Sequence, residues 1–212
     1  MVREAGVSDK SLHFLSYLIL VFLFWYSIKP EGKINWSKST VWRVLFIVTV
    51  YGALDEIVQS FVGRTCDAMD ITANLVGTLT GLLIFTFITF WPSALIMTAI
   101  VIFGITNIAR TNLADVMPVI NNVFNLCAYT VFAVLWIVNL NFLIDKKKQL
   151  YKWLISALIV PVGFLLAVKL YSVVLNRDIR VIEVMIPLLS ITLVFSAFFL
   201  HTMYLKSSIK KK

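Results

Sequence analysis

Asp55, Glu56, Gln59, Arg64, Asp67, Asp70 and Asn74 lie within Tyr51–Gly81, a polar stretch between two apolar runs. Carboxylates placed near hydrocarbon are costly, and chains that keep them there usually use them. Asp55 and Glu56 have the residue type for a general acid–base pair. Neighbouring helical residues diverge by about 100°, so one can face a site while the other meets a structural partner. The competing structural reading is a buried ion pair with Arg64 or Lys10 that locks helices together. His13 could shuttle a proton or, with Glu56, Asp67 or Asp70, ligate a divalent ion. No H-x-x-E-H-like spacing accompanies it, so the sequence assigns no metal ligands, and a hydrogen bond to an acid across a helix interface is the favoured reading. Arg64 lies between the two acidic groups and could hold a phosphate or carboxylate bidentately. Gln59 and Asn74 could orient a ligand or bond helix to helix.

Helical spacing sorts these residues onto faces, because residues three and four apart are neighbours. Gly52, Glu56, Gln59 and Gly63 form one stripe, with Asp55 one turn from Gln59. Asp67, Asp70, Asn74, Gly77 and Gly81 form a second, and Asp9, His13 and Ser16 a third. Gly77 and Gly81 make a G-x-x-x-G step that lets another helix approach closely. The acids on that stripe are therefore expected to face a helix, not lipid.

The elements that carry them are read from composition. The chain has 212 residues, 60% hydrophobic and only 14% charged, with mean hydropathy +0.91. A soluble domain would carry about a quarter charged residues. Continuous apolar runs of about 20 residues mark transmembrane helices, and the alternation of a β-barrel is missing. The fold expected is all-α, a polytopic integral membrane protein with about seven transmembrane helices at 11–28, 41–62, 68–90, 92–109, 118–143, 153–175 and 181–204. Residues 9–90 would hold a core of three helices, and 91–212 four more of unassigned role. The first run ends in Trp25-Tyr26-Ser27-Ile28, which is no signal-peptide cleavage site.

The net charge of +8 does not point to nucleic acid, because Lys and Arg sit in short loops beside apolar spans, where they set orientation. Lys29, Lys33, Lys38, Arg43, Lys146–Lys148, Lys152, Lys206 and Lys210–Lys212 fall on one side. The poorer side holds Arg3, Lys10, Arg64, Arg110, Arg177 and Arg180. The rich side is expected to be cytoplasmic. That places the protein in the cell membrane with its amino terminus outside and its carboxy terminus in the cytoplasm. Glu56, Asn74 and His13 then share a depth of roughly 6–10 Å below the outer helix ends, at 1.5 Å per residue. Trp25, Trp36, Trp42, Trp91 and Tyr151 read as an interfacial belt.

Asp9-Lys10-x-x-His13-Phe14, then Asp55-Glu56-x-x-Gln59-x-Phe61-x-Gly63-Arg64, then Asp70-x-x-x-Asn74-x-x-Gly77-x-x-x-Gly81 resemble the VanZ-like family. The resemblance covers roughly residues 9–85. Two departures stand out: family members often carry another membrane helix before the Asp-Lys element, and often have Pro where this chain has Val62. The resemblance implies a bacterial or archaeal membrane protein; the family's namesake contributes to teicoplanin resistance without altering the terminal residues of the peptidoglycan precursor.

The expected function is an outward-facing polar site that acts on the cell envelope. As an enzyme it would act on a lipid or lipid-linked precursor, with Glu56, Asp55 and His13 as catalytic groups. Arg64, Gln59, Asp70, Asn74, Asp9 and Lys10 would bind substrate. The alternative is a non-catalytic binder of lipid or amphiphilic antibiotic. A transporter ranks below both, because the acids cluster near one face and transport sites usually lie near the midplane. The sequence names no cofactor.

Overall fold

The computed structural model describes residues 9–28, 33–61, 67–108, 113–144 and 150–210. Every element among them is helical: α1 (Asp9–Ile28), α2 (Ser39–Phe61), α3 (Ala68–Phe87), α4 (Phe90–Phe103), α5 (Leu113–Val116), α6 (Pro118–Leu143), α7 (Leu150–Val174) and α8 (Ile182–Lys210). A π-helical turn, Gly104–Ile108, follows α4. Six of the described helices are long and apolar enough to cross a membrane. The expected span 41–62 is α2, which is 23 residues long and carries Arg43 near one end and Asp55 and Glu56 near the other. The chain is thus an all-α protein with the helices of a membrane protein. Its α2 surface agrees, since Phe46, Val50, Leu54, Val58 and Phe61 are exposed apolar residues.

The helices sort into two compact units, one reaching to Met97 and the other holding Thr98–Asn107 and the residues after 110. In the first, α1 lies along α3, and α2 packs on both. The buried face of α3 is Asp70, Asn74, Gly77, Thr78, Gly81, Leu82 and Phe85. Its steps of three and four residues keep one face towards a partner. The two glycines set how close that partner comes. A Cβ on Gly77 would collide with the Phe14 carbonyl oxygen, and one on Gly81 would meet Val21 Cγ1 at 2.5 Å. Beyond the glycines the same face turns aromatic. Phe22, Tyr26, Phe85 and Phe90 pack edge and face at centroid distances of 5.2–6.1 Å. There Tyr26 bonds Ser93 at 3.0 Å, and Trp36 Nε1 donates to Thr86 at 2.9 Å.

In the second unit α6 packs against α8 and α7. Pro118 starts α6 at a position where its missing N–H costs nothing. Pro161 and Pro187 stand inside α7 and α8. Trp153, Ile137, Leu140 and Ala157 form an apolar cluster. Trp153 Nε1 donates to Asn141 and Trp136 Nε1 to the Ser156 carbonyl, each at 2.9 Å. After α7, Asn176 takes a left-handed conformation, φ 54°. Its neighbour Arg177 donates its backbone N–H to Ser172 at 3.0 Å, the bond that closes a Schellman turn.

Candidate functional site

Three helices of the first unit bring four polar side chains together. His13 comes from the first turns of α1, Glu56 from the last turns of α2, and Asp70 and Asn74 from the start of α3. All are buried: His13 is 9% exposed, Glu56 1%, Asp70 8% and Asn74 2%. Asp67 caps α3 by accepting the Met69 N–H at 2.9 Å, which fixes where the helix starts. From that start, Asp70 and Asn74 fall one turn apart on the face that meets α1. The glycine seam then draws α1 down until His13 lies beside them.

The His13 ring is held at Nδ1 and faces a carboxylate at Nε2. Its Nδ1 lies 3.1 Å from Asn74 Oδ1 and 3.6 Å from Glu56 Oε1. Its Nε2 lies 3.8 Å from Asp70 Oδ2. The Asn74 contact is a hydrogen bond, donated by the ring. The two carboxylate distances exceed hydrogen-bond range. Among the described residues, Glu56 Oε1, Asp70 Oδ1 and Asn74 Nδ2 are buried without a hydrogen-bond partner. One ligand-type atom each from His13, Glu56 and Asp70 lie within 4.8 Å of one another. Such a set can bind a proton, a cation or a polar ligand.

The remaining sequence candidates stand around this group. Asp55 is half-buried and accepts a 3.1 Å hydrogen bond from Gln59 one turn later. The acid pair therefore divides, Glu56 inward and Asp55 to Gln59. Lys10 reaches Asp67 at 3.6 Å, both about half-exposed. Ser16 is exposed, and the α1 stripe runs from His13 to Tyr17 instead. Tyr17 escaped the sequence reading. Its hydroxyl is buried without a hydrogen-bond partner among the described residues, and its ring packs on Gly52, whose Cβ would lie 3.1 Å from Tyr17 Cε1. Spacing held the clue, since Tyr17 follows His13 by four residues. Arg64 and the side chain of Asp9 lie outside the described residues.

The model of the family described as VanZ/LLP1 matches residues 7–91. Residues 7–91 are VanZ-like. The match contains all four clustered side chains and all three helices that carry them. No curated protein and no solved structure matches the chain.

Beyond the VanZ-like segment, the second unit has a polar group of its own. Lys169 donates to Glu183 Oε2 at 2.8 Å, both buried. The π-helical turn after α4 presents the Thr106 carbonyl to Arg177 at 2.9 Å and places Asn107 Oδ1 2.6 Å from the Ser172 hydroxyl. Arg180 bonds Asp115 at 2.6 Å and the Ala114 carbonyl at 2.8 Å. Lys169, Arg177, Asp178, Glu183, Ser172 and Asn121 line a cavity of about 10 Å³, room for about one water. These cations are engaged by the protein's own acids and carbonyls.

Proposed function

We propose that the VanZ-like segment is a working site of the cell envelope, acting on a membrane lipid or lipid-linked precursor, with Glu56 and His13 at its centre. The observation that carries this reading is Glu56 itself. It is 1% exposed, its Oε1 has no hydrogen-bond partner among the described residues, and it stands beside His13. Burying an unsatisfied carboxylate between apolar helices is costly, and a fold has little reason to keep one without use. Asp55 would act through its position next to Glu56. Asp70 and Asn74 would line the site. Lys10, Asp9, Gln59 and Arg64 would meet the polar head group, Arg64 as the bidentate partner of an anion. In this reading the site faces outward, and the link to glycopeptide resistance that the family's namesake suggests would follow from a changed envelope surface.

The test is mass spectrometry of envelope lipids incubated with purified protein, wild type against Glu56→Gln. A product made by the wild type and missing with a folded Glu56→Gln supports the enzyme. A product made equally by both would sink it. The second reading is a non-catalytic binder of lipid or amphiphilic antibiotic. It is favoured by the pairing of Asp55 with Gln59 and Lys10 with Asp67, which ties two candidate groups to structural partners. In that case a lipid is retained through purification and leaves unchanged.

A further inference from the structure

We propose that His13, Glu56 and Asp70 bind one divalent cation of the zinc and manganese class, oriented by Asn74. The inference rests on the reading of this cluster as the working site and gives it a specific ligand. Charge balance is the first argument. The cluster buries two carboxylates and an imidazole. Among the described residues, Lys10 pairs with Asp67 and Lys169 with Glu183, and no Lys or Arg lies within 4 Å of Glu56 or Asp70. Buried charges are normally paired or coordinated to a metal. A divalent ion would balance both carboxylates at once.

Geometry is the second argument. Three ligand atoms, one from each residue, already lie within 4.8 Å of one another. Ligands of a tetrahedral ion with bonds of about 2.0–2.1 Å stand about 3.4 Å apart. With His13 Nδ1 engaged by Asn74, Nε2 is the nitrogen left for the ion, and its 3.8 Å separation from Asp70 Oδ2 is too long for a hydrogen bond and close to that spacing.

The surroundings of the cluster suit an ion as well. Among the described residues, Glu56 Oε1 and Asp70 Oδ1 are buried oxygens, capable of ligating a metal, with no hydrogen-bond partner. The His13 Nδ1 bond to Asn74 Oδ1 is of the type by which a metal-bound imidazole is held, one nitrogen to a protein oxygen and the other to the ion. One nitrogen and carboxylate oxygens suit zinc and manganese better than soft-ligand metals. A bound ion would also give the site an electrophile for a phosphate or carboxylate head group. The three ligands come from three helices, so sequence spacing such as H-x-x-E-H does not arise.

The test uses the full chain in detergent or nanodiscs, stripped with chelator and titrated with Zn²⁺ or Mn²⁺ alone, followed by calorimetry and by metal content after gel filtration. One equivalent per chain is expected. Glu56→Gln and Asp70→Asn should each weaken binding at least tenfold. Asp67→Asn, which keeps the helix cap, should bind like the wild type. Gel filtration and thermal unfolding show whether each variant is folded. Should a ligand variant fail to fold, Asn74→Ala provides the second reading, with affinity about 10–100-fold lower if Asn74 orients a metal-bound ring. No stoichiometric binding by folded wild-type protein overturns the proposal, as does undiminished binding in folded Glu56→Gln and Asp70→Asn. Lipid turnover and retention are measured on the same samples. Metal binding without lipid engagement would remove the envelope reading alone, and lipid engagement without metal would remove this one alone.

Discussion

His13 Nδ1 lies 3.1 Å from Asn74 Oδ1, a buried hydrogen bond between α1 and α3 across 61 residues of sequence. It joins the two most closely associated helices of the first unit at their polar end. Hydrogen bonds between membrane helices average about 0.6 kcal/mol and reach about 1.7. Asn74→Ala is therefore expected to lower stability by about 1 kcal/mol, towards the upper part of that range because the bond is buried. Chemical or thermal unfolding in detergent measures this. A loss well beyond that range would show that Asn74 supports more than this bond.

Gly77→Ala and Gly81→Ala should differ. At Gly77 the new methyl meets a backbone carbonyl, that of Phe14, while at Gly81 it meets the Val21 side chain. A side chain can turn aside, but a helix backbone must move as a whole. Overpacking costs about 1–3 kcal/mol. Gly77→Ala should fall at or above the top of that range and Gly81→Ala towards the bottom. Unfolding temperature and monodispersity rank them, and equal behaviour would contradict the glycine seam as the element that seats α1.

Lys169 and Glu183 form the second unit's buried ion pair at 2.8 Å. Removing one partner strands a buried charge, which costs about 3–5 kcal/mol, whereas replacing both with apolar residues is often neutral. Lys169→Met should destabilise strongly, and Lys169→Met with Glu183→Leu should recover most of the loss. A double variant as unstable as the single one would show that Glu183 or Lys169 has a further partner.

Lys10 and Asp67 present the opposite case, a half-exposed pair at 3.6 Å. Such pairs contribute about 0–1 kcal/mol. Lys10→Ala should leave thermal stability nearly unchanged. Reduced lipid retention in that variant would support its proposed place at the head group, and unchanged retention would assign the pair to structure alone.

Much of this was legible in the sequence. Long apolar runs made membrane helices of α1, α3, α4 with its π-helical turn, α6, α7 and α8, because a helix satisfies its own backbone groups away from water. The Asp70-Asn74-Gly77-Gly81 spacing put those residues on one buried face, since helical period alone decides that. The polar stretch around Asp55 and Glu56 announced itself by its cost in apolar surroundings. Period could not decide which acid of an adjacent pair turns inward, nor whether the α1 stripe continues to Ser16 or Tyr17. Both choices are set by where the neighbouring helix lies, and they fell to Glu56 and Tyr17. Spacing placed His13, Glu56 and Asn74 at one depth, but it could not set the distances between His13, Glu56 and Asp70, because these come from three helices. The sequence by itself determined helices, faces and chemical inventory, all local consequences of composition and a 3.6-residue turn. Only tertiary structure decided the distances between faces, because close approach at Gly77 and Gly81 fixes them through contacts far apart in the chain.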